Sequence, residues 1–159
     1  MKFPAATIAA SALLLGSQVT ANPIQKRDIP SSFYSNMAID GSIYSFADDA
    51  SCNEIFYTAG SCGLSTYFTS EIPSSSTIPL VAMASAVMSQ FGASQNNELC
   101  GKTIEITGAN GVTVQAAIAD TAGADIIDMC LTLWEDFGGV DGDGTIMTGA
   151  NGLEWHLVE

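Results

Sequence analysis

The sequence predicts a mainly β fold, in which short strands form a small barrel with two short α-helices and two disulfides. The first observation is the alternation of apolar and polar residues in two runs, 103–107 and 112–118, separated by the sequence GANG. An Asn-Gly pair readily adopts the positive φ values of a tight turn, so the two runs are predicted to form a β-hairpin. The other observations are that only two segments repeat apolar residues at helical spacing, and that the cysteines are even in number, four in all.

The N-terminus has the three parts of a secretory signal peptide: a basic start at Lys2, an apolar middle and small residues at its end. The apolar stretch is too short to span a bilayer. A Lys26-Arg27 pair follows and resembles a dibasic processing site. We therefore expect 1–21 to be a signal peptide, 22–27 to be a short propeptide or an uncut flexible N-terminus, and the protein to be secreted and extracellular.

The rest of the chain has the length of one domain with a core of its own. Residues 28–47 are expected to form an N-terminal arm that ends in a first strand, and residues 48–159 to form the barrel domain. The other predicted elements are, in order, a strand at 62–68, a helix at 80–91, the hairpin, a helix at 130–137 and one or two strands at 145–158.

The charge of the chain restricts its partners. From Asp28 onward there is one basic residue, Lys102, and there are 17 acidic ones, which gives a formal charge of −16 (1 − 17). Nucleic acids and anionic membranes are excluded as partners, because both are bound through clustered lysine and arginine. We expect a monomer whose partner is a neutral wall polysaccharide, either a glucan or chitin, or an extracellular protein. The same charge also keeps a secreted protein soluble.

The cysteines are Cys52, Cys62, Cys100 and Cys130. An even number in a secreted protein indicates two disulfides, and three pairings are open. The sequence contains no Cys-x-x-Cys and a single histidine, His156, so we expect neither a metal site of a common type nor a cofactor.

Several landmarks follow one another along residues 62–158. They are CG at 62–63, VAMASAVMSQFG at 81–92, CGKTIEI at 100–106, VTVQAAIAD at 112–120, DIIDMCLTLWEDFG at 125–138 and LEWHLV at 153–158. In this order and spacing they resemble the double-psi β-barrel domains of the rare-lipoprotein-A, barwin and expansin families. The resemblance implies a six-stranded double-psi β-barrel, and we expect a secreted fungal protein of this type.

The resemblance also bears on the cysteines. In the family the CG and CGK cysteines are commonly bridged, which implies a Cys62–Cys100 disulfide and with it Cys52–Cys130. The competing pairing joins Cys52 to Cys62 and Cys100 to Cys130. One departure from the family is the sequence TAGA at 121–124, where many members have a Cys-x-x-Cys segment.

Two carboxylates are candidate site residues. Asp120 is the last residue in phase with Ile118 and the other apolar residues of its strand, at the rim of the barrel interior. In the family a carboxylate ends this strand and a second one, matching Asp128, begins the next helix; both line the groove in which sugar chains bind. The resemblance places the acid of the family-45 endoglucanases at Asp128. Each has a structural alternative, since Asp128 could cap a helix and Asp120 could hold the following loop.

Three aromatic residues are candidates for ligand binding. Tyr44, Tyr67 and Phe68 lie in predicted strands, and a flat apolar ring suits the face of a pyranose ring. An aromatic residue in a strand serves equally well as core or surface packing. Trp155 is in phase with two leucines of the last strand and is predicted to lie in the core.

The leading hypothesis is an expansin-like protein that binds or loosens a neutral wall polysaccharide without hydrolysing it. The groove would be lined by Asp120, Asp128 and exposed aromatic residues. An inverting glycosidase needs a second carboxylate as base, and no motif supplies one near the N-terminal strand, which favours a binding protein over an enzyme.

Two other hypotheses remain. The first is an extracellular effector or protease inhibitor that binds protein through its loops, which the strong acidity and the TAGA segment favour. The second is a weak glycoside hydrolase or lytic transglycosylase in which Asp120 and Asp128 are the catalytic residues.

Overall fold

The computed structural model describes residues 28–159. The predicted signal peptide and the Lys26-Arg27 pair lie outside the described residues. Six strands close a barrel in the order β1-β5-β2-β4-β3-β6. The strands are β1 (Met37–Ser45), β2 (Leu80–Met83), β3 (Thr103–Gly108), β4 (Thr113–Thr121), β5 (Ile126–Cys130) and β6 (Leu153–Leu157). The barrel therefore begins at Met37 and includes a strand that the sequence analysis placed in a separate N-terminal segment.

The order of the strands has an internal twofold pattern. If β1 is exchanged with β4, β2 with β5 and β3 with β6, every strand keeps the same two neighbours around the barrel. The pattern also preserves strand direction: β1 runs parallel to β5 and β2 runs parallel to β4, while β2–β5 and β3–β6 are both antiparallel. The predicted fold class, a mainly β six-stranded double-psi barrel with two disulfides, is confirmed.

The hairpin is confirmed. Strand β3 pairs antiparallel with β4, from Thr103 opposite Ala117 to Thr107 opposite Thr113. Gly111 in its turn has φ of 80°, a conformation that glycine adopts without strain. Trp155 on β6 is only 1% exposed and lies in the core, as predicted.

Within residues 28–159, four α-helices lie outside the strands, twice the number predicted. They are α1 (Asp49–Ala59), α2 (Leu64–Tyr67), α3 (Ser85–Met88) and α4 (Leu131–Asp136). Helix α4 was predicted from its apolar spacing and is present. Helix α1 was missed, although Asp48 caps it, the carboxylate accepting the Ser51 N–H at 3.0 Å. Its buried residues Cys52 and Phe56, four positions apart, pack it against the barrel.

Two predicted elements are wrong. The run at 62–68 is not a strand, because α2 occupies most of it. The run at 80–91 is not one helix but β2 followed by the short helix α3. All four residues of β2 are buried between β4 and β5, and a strand covered on both faces shows no alternation to distinguish it from a helix.

Both disulfides fasten α1 and its following turn to the barrel. Cys52 on α1 bonds Cys130 at the end of β5, and Cys62 bonds Cys100 just before β3. These are the pairs that the resemblance implies. No helix within residues 28–159 is long and apolar enough to cross a membrane. In the same range no group of three acidic, histidine or cysteine side chains is arranged to hold a metal ion.

Candidate functional site

Four residues in register form a row across adjacent strands. Ser42 on β1 lies opposite Asp128 on β5, Asp128 lies opposite Ala82 on β2, and Ala82 lies opposite Asp120 on β4. Residues that face one another across a ladder present their side chains on the same face of the sheet. We call these four residues the carboxylate row. Both predicted carboxylates belong to it, and their Cα atoms are about 10 Å apart, two interstrand spacings.

The carboxylate row lies on the outer face of the barrel. On β5, the neighbours of Asp128 are Ile127 and Met129, which are fully buried inside the barrel. Because side chains alternate along a strand, Asp128 points away from that interior. Ser42 and Ala82 share this face through their register with Asp128.

A β-bulge in β4 decides the direction of Asp120. The ladder with β2 pairs Val81 with Ile118 and then Ala82 with Asp120, so Ala119 is an extra residue. Strict alternation predicts that Asp120 shares the face of Ile118, the barrel interior, and this expectation is wrong. The bulge places Asp120 on the opposite face, in the carboxylate row. A bulge at the twofold-related place in β1, at Tyr44, accompanies it.

Asp128 is half-buried and is held by Ser42. The Ser42 hydroxyl donates a hydrogen bond to Oδ1 of Asp128. Burial of the carboxyl raises the pKa of Asp128 above its ordinary value, the Ser42 hydrogen bond opposes this rise, and the nearby charge of Asp120 adds to it. Asp128 is not a helix cap, because α4 begins only after Cys130. Its structural partner is therefore Ser42 on the neighbouring strand and not the backbone of a helix.

Asp120 is held by backbone groups. Its Oδ1 accepts the N–H of Ser61 at 2.8 Å and the N–H of Thr121 at 2.7 Å. Ser61 follows the end of α1, so this carboxylate fastens the helix end to β4 as well as lying in the carboxylate row. These two bonds are the backbone contacts that the loop-holding interpretation of Asp120 expects, and its position in a groove stays a prediction.

The predicted aromatic residues separate into two places. Tyr44 is 41% exposed, lies two residues after Ser42 and packs its ring against Phe56 with centroids 4.4 Å apart. It therefore borders the carboxylate row. Tyr67 is 60% exposed on α2. Phe68 is half-buried beside Gly101 and lines a different cavity, so these two are not part of the row.

Ser42 is the site residue that the sequence reasoning missed. It is 9% exposed, one of the few buried polar side chains among the described residues. Its partner is 86 residues away in the chain, and only the parallel pairing of β1 with β5 brings the two together. A serine in the sequence GSIYS gives no local signal of this contact.

Replacing Asp128 by asparagine is expected to stabilise the protein near neutral pH. The raised pKa means that the folded state binds the Asp128 proton more tightly than the unfolded state does. Stability therefore falls as pH rises from the ordinary carboxyl pKa through the raised value, and Asp128→Asn removes this loss. We expect Asp128→Asn to have a higher Tm than the wild type at about pH 7. At about pH 3 we expect no difference in Tm, because Asp128 is protonated in both the folded and the unfolded wild type.

Thermal unfolding followed by circular dichroism at several pH values measures this effect. Asp141→Asn is the matched control, because it removes the same charge from an exposed loop. If both variants shift Tm equally at every pH, the gain comes from lower net charge and not from relief of the buried carboxyl.

No protein-family model and no curated protein matches the chain. Several solved structures resemble it, including these three. A Streptomyces papain inhibitor has a TM-score of 0.52 and 23% identity, and the match covers 83% of this chain and 100% of that one. A Clavibacter michiganensis expansin mutant in complex with cellohexaose has a TM-score of 0.48 and 17% identity over 79% of this chain and 51% of that one. The computationally designed msDPBB_sym2 protein has a TM-score of 0.37 and 16% identity, over 78% and 100% of the two chains. The similarity to the inhibitor shows a shared fold and leaves the activity open.

Proposed function

We propose that this protein is a secreted, fungal, expansin-like protein that binds a neutral wall polysaccharide without hydrolysing it. The observation that carries the proposal is the carboxylate row bordered by an exposed tyrosine. Ionised carboxylates accept the hydrogen bonds that sugar hydroxyls donate, and the Tyr44 ring supplies a flat apolar surface.

The arrangement of the carboxylates supports binding rather than cleavage. Glycoside hydrolysis uses two carboxyl groups that flank the scissile bond, with an inverting enzyme needing them on opposite sides of the sugar. Asp120 and Asp128 lie on one face of the sheet, on strands separated by β2. Oδ1 of Asp120 is already engaged by two backbone N–H groups. We propose that the remaining acceptor atoms of the pair bind the hydroxyls of a sugar chain.

Charge and disulfides support the rest of the proposal. Lys102 is the one lysine or arginine from Asp28 onward, so an anionic polysaccharide would be repelled. Two disulfides suit a protein that functions outside the cell.

A pull-down with insoluble cellulose, chitin and β-1,3-glucan tests the proposal. We expect retention of the wild type on at least one of them, and loss of most retention in the Asp120→Asn, Asp128→Asn double variant and in Tyr44→Ala. Tyr34→Ala is the matched control, because Tyr34 is 40% exposed, like Tyr44, but lies outside the row. If the wild type is retained on none of the three materials, the proposal is wrong. A reducing-sugar assay on soluble glucans and peptidoglycan tests the hydrolase or transglycosylase hypothesis. That hypothesis requires the wild type to form product and the Asp128→Asn variant to form none.

Protein binding is the second candidate, as an extracellular effector or protease inhibitor. The observation that favours it is the shared fold with a papain inhibitor over the whole length of that protein. Inhibition assays against papain-like and subtilisin-like proteases distinguish the two functions. Inhibition that the Asp120→Asn, Asp128→Asn double variant retains would show that the carboxylate row is irrelevant to the protease.

A further inference from the structure

A cleft of about 460 Å³ lies between α1, the loop at 72–79 and α4. Buried residues, among them Ile72, Leu80 and Cys130, are part of its lining. Ile78 and Pro79 of the loop are partly exposed and contribute apolar surface. No residue of the carboxylate row lines it, so the cleft is separate from the polysaccharide site proposed above.

Three carboxylates line this apolar cleft: Asp49 and Glu54 on α1, and Asp136 on α4. Asp49 has a structural role, because its Oδ1 accepts the Thr132 N–H at 3.0 Å and ties α1 to α4. The side-chain carboxylates of Glu54 and Asp136 are exposed, and no hydrogen bond or ion pair from within residues 28–159 reaches them.

The charge of the cleft is not neutralised from inside the molecule. Lys102 is the one lysine or arginine in the described part of the chain, and it lies in another cavity, with Phe68 and Glu98. An apolar cleft with two unpaired carboxylates at its rim is complementary to a side chain with an apolar stem and a cationic head. Arginine has this form, and its guanidinium can donate two parallel hydrogen bonds to one carboxylate.

We propose that the cleft binds an arginine-bearing segment of an extracellular protein, with the arginine between Glu54 and Asp136 and an apolar neighbour against the loop. The stem of the arginine and the apolar neighbour would cover Ile78 and Pro79, the partly exposed apolar residues of the loop that line the cleft. This interaction is independent of the polysaccharide site, and it gives a second, protein-directed surface to the same barrel.

Two-dimensional ¹H–¹⁵N NMR of the folded protein, titrated with the peptide acetyl-Leu-Arg-Leu-amide, tests the proposal. We expect saturable shifts confined to the amides of α1, α4 and the 72–79 loop, and weaker binding at high salt. The counterpart peptide with citrulline in place of arginine has nearly the same shape without the charge, and we expect roughly tenfold weaker binding from it. Equal binding of the two peptides, or shifts elsewhere on the protein, would overturn the proposal.

Two charge variants sharpen the test. Glu54→Gln with Asp136→Asn removes the unpaired carboxylates, both at exposed positions where folding is tolerant, and should weaken arginine-peptide binding roughly tenfold. Glu135→Gln with Asp141→Asn removes the same charge from exposed positions outside the cleft and should leave binding within about twofold. The spectrum of each variant reports whether it is folded. An arginine-peptide affinity that is unchanged by the first pair, or lowered equally by both, would contradict the proposed site.

Discussion

Replacing Cys52 and Cys130 together by alanine is expected to lower Tm by roughly 15 °C. The disulfide closes a segment with a sequence separation of 78 residues. The chain-entropy estimate for a loop of that length is about 4.5 kcal/mol of stability. A domain of this size commonly has about 5 to 15 kcal/mol in total, so the loss is a large fraction of what holds the fold together.

The second disulfide is the natural comparison. Cys62–Cys100 spans 38 residues, for which the same estimate is about 3.9 kcal/mol. We expect the Cys62→Ala, Cys100→Ala variant to be destabilised slightly less, and a variant lacking both bridges not to fold. Thermal unfolding of the three variants and the wild type at one pH measures this. A change in Tm of only a few degrees in the Cys52, Cys130 variant would show that packing of α1, not the bridge, holds it to β5.

Local chemistry predicted the elements whose signals lie within a few residues. The β3–β4 hairpin follows from alternation and an Asn-Gly turn, and α4 follows from the spacing of Leu133, Trp134 and Phe137. Strand β2 could not be recognised this way, since it is covered on both faces and uniformly apolar. Helix α1 depends on the Asp48 cap and on burial of two residues against the barrel, and its polar positions hide the apolar period.

The site shows the same division between local and long-range information. The positions of Asp120 and Asp128 were predicted through the family resemblance, and the structure brings both to one face of the barrel. Neither the Ser42 contact nor the bulge at Ala119 could be predicted. Both depend on the register between strands that are distant in sequence, and one extra residue in β4 reverses the face on which Asp120 lies.

The close approach of α1 to β4 depends on the absence of a side chain at Gly60. Its φ and ψ of −59° and 146° are accessible to any residue, so conformation is not the reason for glycine here. A Cβ at this position would lie 2.4 Å from the carbonyl oxygen of Phe56 and 2.5 Å from that of Ala119. Both are backbone atoms, which cannot move aside without displacing α1 or β4.

Gly60→Ala is therefore expected to destabilise the protein by about 3 kcal/mol, the upper part of the range for overpacking, and to lower Tm by roughly 10 °C. Moving the end of α1 away from β4 would also lengthen the hydrogen bond from the Ser61 N–H to Asp120, which is 2.8 Å in the wild type. We expect weaker retention on the polysaccharide as a consequence. Gly123→Ala is the matched control, because a Cβ there meets no atom within 4 Å and φ is not in the left-handed region.

At Gly123, alanine should leave Tm unchanged or raise it slightly, since it restricts the unfolded chain by about 0.5 kcal/mol. Thermal unfolding and the pull-down assay on both variants separate the two effects of Gly60→Ala. A loss of Tm with full polysaccharide retention would show that Asp120 holds the helix end without serving the ligand. Equal Tm for Gly60→Ala and Gly123→Ala would mean that α1 approaches β4 less closely than the structure places it.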